Sequence, residues 1–224
     1  MDVLVKVSLY IIFHTQIGCL ILITILQENL FGTCCGGCGT GKCGCGGYVG
    51  GKSALEHYKE GLFDNAPITK WNLGQPAEVY WTSGMKHRGG YAYRLCKVND
   101  GKVWEVTEQC FQNGHLNFSG DTTWIYINPY PKNFNPENFK AQPIKTTTIG
   151  TTPPGSQWAK INLWLKPQDN GGPKPQNWAI KDLVEVPESL ELGQYILSFR
   201  WDSLRTPQVW NTCANIEIRP RRYI

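Results

Sequence analysis

The chain has 224 residues and a mass of 25.3 kDa, which fits one large β domain or two small ones. Its 22 Lys+Arg against 18 Asp+Glu leave a net charge of +4, too weak for the dense basic stripe of a nucleic-acid binder, so no nucleic-acid partner is expected. Hydrophobic content of 41% with 12% aromatic excludes wholesale disorder. Nine Trp, ten Tyr and nine Cys against two Met read as an exported β protein with a disulfide framework.

In chain order, residues 1–29 read as a hydrophobic signal or anchor segment. Val7 to Leu26 is nearly all apolar behind Lys6, broken by His14-Thr15-Gln16. About 20 apolar residues can span a bilayer, and a short charged start before an apolar run also describes a signal peptide. No small-x-small cleavage site follows, so a secreted product and membrane anchoring through Val7–Leu26 both stay open, with export preferred. The next stretch, Gly32 to Gly51, is dense in Gly and carries Cys34, Cys35, Cys38, Cys43 and Cys45. So much Gly disfavours helix or strand interiors, and the segment reads as a loop pinned by cross-links. Disulfides are preferred over a zinc knuckle, because zinc pairs are usually well separated along the chain and these nearly touch.

Ser53–Phe63 is the longest plausible amphipathic helix. Short strands separated by turn residues follow: Ala77–Trp81, Tyr91–Val98, Lys102–Thr107, Trp124–Ile127, Lys160–Leu165, Leu183–Val186, Gln194–Trp201 and Cys213–Ile218. The clearest is Gln194–Trp201, where Tyr195, Leu197, Phe199 and Trp201 alternate with Ser198 and Arg200. Asn128–Pro154, rich in Pro, Asn and Thr, reads as a long surface connection. The pattern predicts an all-β antiparallel sandwich.

No G-x-x-x-x-G-K-[ST], G-x-S-x-G or H-E-x-x-H run occurs, so those enzyme classes have no support. Of the four His, His14 lies inside the apolar stretch, His57 in a polar helical one, and His115 at the turn Asn113-Gly114-His115. His87 differs: it stands in a loop just before a strand, followed by Gly89-Gly90, and imidazole is a good ligand for copper or zinc.

The run His87-Arg88-Gly89-Gly90-Tyr91-Ala92-Tyr93-Arg94-Leu95-Cys96 resembles the second-histidine segment of secreted lytic polysaccharide monooxygenases, the chitin-binding type-4 domain group. Leu30-Phe31 through Cys45 resembles that family's Cys-Gly-Gly region, and Thr107-Glu108-Gln109-Cys110-Phe111 the segment that holds the disulfide partner of Cys96. Phe199-Arg200-Trp201-Asp202 and Pro207 through Ile216 resemble its last core strand and C-terminal motif. The likeness runs over residues 30–218, leaving 219–224 as a basic tail; the proline-rich middle matches little.

The resemblance implies an immunoglobulin-like (fibronectin III-like) β-sandwich with long loops and a flat copper site for oxidising chitin, cellulose or a related polysaccharide. His87 would be the second histidine of a three-nitrogen brace, an arrangement that suits Cu(II). Trp210 would stand where the family has its axial Tyr or Phe, and Gln208 where it has an amide or carboxylate beside the oxygen site. Cys96 and Cys110 would pair across neighbouring strands. Three departures accompany the likeness. The family's N-terminal histidine has no counterpart ahead of Leu30, which implies a missing or mispredicted N-terminus or an incomplete brace. Trp210 offers only an N–H donor and cannot ligate. Ser203 stands where relatives tend to carry Cys, leaving Cys213 to find another partner or stay free. The expected protein is a secreted monomer that binds or oxidises a glycan with copper, or a non-catalytic glycan-binding module on the same fold. Trp210 and Trp201 read equally well as core aromatics.

Overall fold

The computed structural model describes residues 9–14, 20–25, 68–83, 89–100, 106–127, 141–146, 159–160, 178–203 and 209–222. They form eleven strands and one short helix: β1 (Leu9–His14), β2 (Leu20–Ile25), β3 (Ile68–Asn72), β4 (Pro76–Ser83), β5 (Gly89–Lys97), α1 (Glu108–Asn113), β6 (Thr122–Ile127), β7 (Ala141–Lys145), β8 (Ala159–Lys160), β9 (Trp178–Glu185), β10 (Gly193–Ser203) and β11 (Val209–Arg219). One sheet runs β2-β1-β4-β9-β6-β7 and the other β3-β11-β10-β5-β8. Pairing is antiparallel except between β1 and β4 and between β3 and β11. The fold is an all-β sandwich of two sheets, antiparallel in all but two pairings.

The core follows from strand alternation, which sends every second side chain to the inner face. On β10, Tyr195, Leu197, Phe199 and Trp201 point inward and are buried. They meet Val79 and Trp81 of β4 and Ile180 and Val184 of β9. Trp81 is the centre of an aromatic cluster, with ring centroids 4.9 Å from Tyr91, 4.9 Å from Phe199 and 5.7 Å from Trp201. Burial of each such ring contributes about 2–3 kcal/mol, and tilted contacts add to it.

Strand β5 is buried on both faces from Gly90 to Cys96. Tyr91, Tyr93 and Leu95 face the other sheet, whereas Arg94 and Cys96 are covered by α1. That helix is short and defined by its ends. Thr107 is its N-cap, its hydroxyl accepting from the Cys110 N–H at 3.2 Å. Gly114 closes it, donating to Phe111 O at 3.1 Å. The following residues pair with the edge of β5, through Leu95 N to Gly114 O at 2.7 Å and Leu116 N to Tyr93 O at 2.9 Å. Gly114 is required by this closeness, because a Cβ there would lie 1.8 Å from Leu95 O.

Several expectations are corrected by these elements. Lys102–Thr107 is not a strand at its described end, since Val106 and Thr107 are non-strand residues leading into α1. The presumed long connection Asn128–Pro154 contains β7, which tolerates Pro143 because it is an edge strand. Separately from these corrections, two strands within the stretch read as leader or anchor, β1 and β2, pair with each other, and β1 pairs with β4. Arg219, assigned to the basic tail, pairs with Asn72 of β3, and Arg221 forms an ion pair with Glu188. The helix Ser53–Phe63 and the Cys34–Cys45 cluster lie outside the described residues.

Candidate functional site

The end of the five-stranded sheet where the resemblance would put the site is set by three strand termini. Gly89, the first residue of β5, pairs with Ser203, the last of β10, and Val209, the first of β11, pairs with Asp202. The starts of β5 and β11 therefore flank the same end of β10. His87 precedes Gly89 by two positions and Gln208 precedes Val209 by one; both lie outside the described residues. Trp210 is in β11, in register with Trp201, which is in turn in register with Tyr91.

Beneath this edge lies a buried carboxyl absent from the sequence-based expectations. Asp182 of β9 is 1% exposed. It accepts from Tyr91 Oη at 3.2 Å, Tyr93 Oη at 2.9 Å and Thr123 Oγ1 at 2.7 Å. The two tyrosines belong to the opposite sheet, so the carboxyl bridges the sandwich. Burial pushes its pKa up to about 6, and the three hydroxyl donors oppose that rise. Burial also raises both phenols well above their ordinary value, with the Asp182 charge adding to the effect.

On the outer face, Arg94 is fully buried and extends over the Phe111 ring at 5.4 Å. It donates to Glu108 Oε1 at 2.6 Å and to Ser198 Oγ at 3.0 Å. Arg200 reaches the same Glu108 oxygen at 3.1 Å and grips Asp202 with Nε at 2.7 Å and a second nitrogen at 3.1 Å. His115, bridged to Arg94 along the edge of β5, has its pKa lowered to about 4, first by burial and then by the charges of Arg94 and Arg200. The imidazole is neutral at pH 7.

Cys96 of β5 is bonded to Cys110 of α1. The bridge joins strand to helix rather than two strands, and it fastens α1 to the sheet beside the Arg94–Glu108 pair. Cys213 on β11 is also disulfide-bonded, so it is not a free thiol.

Among the described residues no group of three or more His, Cys, Asp or Glu side chains could hold a metal ion, and His87 lies outside them. The one described imidazole outside β1 stands near two guanidinium charges, which disfavour a cation. Asp182, Arg94 and Glu108 escaped the sequence reading because their partners come from other elements; Arg200 and Asp202 are two positions apart, but the Glu108 that Arg200 also grips lies 92 positions away. The only signal was an Arg at an alternating position of an apolar strand, Tyr93-Arg94-Leu95.

No protein-family profile matches the chain. Among solved structures it is similar to an AA10 lytic polysaccharide monooxygenase from Streptomyces lividans, at 14% identity and a TM-score of 0.31, over 67% of this chain and 59% of that one. It is also similar to a family 123 glycoside hydrolase from Clostridium perfringens, at 11% identity and a TM-score of 0.28, over 75% of this chain and 25% of that one. The chain thus spans less than two thirds of either structure, and at these scores nothing about its activity rests on the likeness.

Proposed function

We propose that this protein is an exported, polysaccharide-active β-sandwich of the lytic polysaccharide monooxygenase type, acting on chitin, cellulose or a related glycan. In this reading His87 would hold copper, and Trp210 and Gln208 would line the same site. The supporting observation is the pairing that sets the starts of β5 and β11 on either side of the end of β10, because these starts adjoin the two segments that carry the family-like motifs. Disulfides at Cys96–Cys110 and Cys213 favour an oxidising, extracellular compartment. When bound, copper would supply one-electron redox chemistry towards oxygen or peroxide. The chain's own contribution would be to position a nitrogen donor and to present a glycan-facing edge.

One imidazole holds Cu(II) weakly. Calorimetry in a non-chelating buffer should give weak binding for the chain as it stands, and tight binding for a version preceded by a histidine-led N-terminus. His87→Ala in that version should abolish the tight site. Incubation with chitin or cellulose, a reductant and oxygen should then yield oxidised oligosaccharides by mass spectrometry. Loss of neither copper affinity nor product formation in His87→Ala would overturn the assignment. A second reading is a glycan-binding module on the same fold without catalysis. Glycan pull-down without oxidised product from any version would select it.

A further inference from the structure

Among the described residues Asp182 has hydroxyl partners and no cation beside it. The titratable groups acting on it among the described residues are Tyr91 and Tyr93 of β5, and its remaining partner, Thr123 of β6, is neutral. In the ionised state all three hydroxyls donate inward. A protonated carboxyl must instead donate to one of them, and that hydroxyl then needs an acceptor for its own hydrogen. Thr123 has one ready, since its Oγ1 lies 2.7 Å from Thr146 Oγ1, where either oxygen can donate. The arrangement accommodates both protonation states by reversing one row of hydrogen bonds.

We propose that Asp182 is an acid-strengthened latch between the two sheets. In mildly acidic medium its Oδ1 carries a proton and hands a hydrogen bond through Thr123 to Thr146; near neutrality it ionises and weakens the sandwich. The group is shielded from water and without countercharge, so the charged form is disfavoured in the fold but not in the unfolded chain. Its pKa of about 6, against an ordinary 3.8, agrees. A folded value above the unfolded one means that the folded state holds the proton over this interval. The support is full below about pH 4 and is lost as the pH rises through 6.

The test uses the full chain with carbon-13 in the aspartate carboxyls. One carboxyl should titrate with a midpoint near 6, vanish in Asp182→Asn, and move to higher pH in Thr123→Val, which loses one donor to the anion. The ratio of unfolding constants, wild type over Asp182→Asn, should rise about 100-fold between pH 4 and pH 7. Taking the ratio removes every group common to both proteins. If Asp182→Asn does not fold, the Thr123→Val shift alone identifies the resonance. A spectrum in which every aspartate titrates below pH 4.5, or a ratio that stays constant with pH, overturns the proposal.

Discussion

Removing Glu108 should unfold far more of the protein than its place on a short helix suggests. Its carboxylate is shared by Arg94 at 2.6 Å and Arg200 at 3.1 Å. Arg94 has 1% side-chain exposure, so water cannot replace the lost partner, whereas Arg200 retains Asp202. Breaking a buried pair by deleting one member costs about 3–5 kcal/mol, because the survivor is left charged in a dry site. Glu108 is itself 22% exposed, which lets some solvent in and brings the expected cost of Glu108→Ala to about 3 kcal/mol. Urea denaturation at pH 7 reads this as a lower midpoint with an unchanged slope. Glu191→Ala, which breaks the exposed pair with Lys97, serves as the control and should change nothing measurable. Replacing the pair together, Arg94→Met with Glu108→Leu, should recover most of the loss by removing the stranded charge. Equal midpoints for Glu108→Ala and Glu191→Ala would refute the reasoning.

Gly114→Ala forces a methyl against Leu95 O and should prevent the pairing of residues 114–116 with β5, seen as loss of soluble folded protein or a fall of more than about 3 kcal/mol in stability. Cys96→Ala with Cys110→Ala opens a loop whose ends are 14 positions apart and should cost about 3 kcal/mol by denaturation. His115 has a folded pKa of about 4, below the ordinary 6.5. The fold therefore holds fewer protons than the unfolded chain between those values, and this support is present above about pH 6.5 and lost as the pH falls through 4. After discounting for solvent screening it amounts to about 2 kcal/mol, and His115→Gln should remove that part of the pH dependence. It runs opposite to the Asp182 contribution, so wild-type stability between pH 4 and 6.5 should be flatter than that of either single variant.

The strands legible in the sequence are those whose apolar residues and buried face coincide. β10 is the clearest, and the sandwich class followed from it and its neighbours. β3 was missed because its pattern is inverted: Ile68 is 42% exposed while Thr69 and Trp71 are buried. β7 carries Pro143 and polar neighbours, so composition reads it as loop; only its edge position makes it a strand. α1, at six residues, is too short for helical periodicity and is specified by Thr107 and Gly114. At the candidate site, the family resemblance pointed to His87 and Trp210, but the groups that govern protonation and charge did not show. Asp182 lies 89 positions from Tyr93 and Arg94 lies 104 from Ser198, separations across which no local pattern reaches.

The burial of β5 on both faces has a mechanical consequence. A strand held by neighbours on each edge, by aromatic rings on one side and by a disulfide and an ion pair on the other cannot shift along its length without breaking several of these at once. It behaves as a bar clamped at its far end, and whatever precedes Gly89 is mounted on that bar. A ligand gripped by residues just ahead of Gly89 would therefore meet an anchor whose play is set by the interior of the sandwich. Its binding would register as a higher melting temperature and slower amide exchange throughout Gly90–Cys96, rather than as the quieting of a single loop.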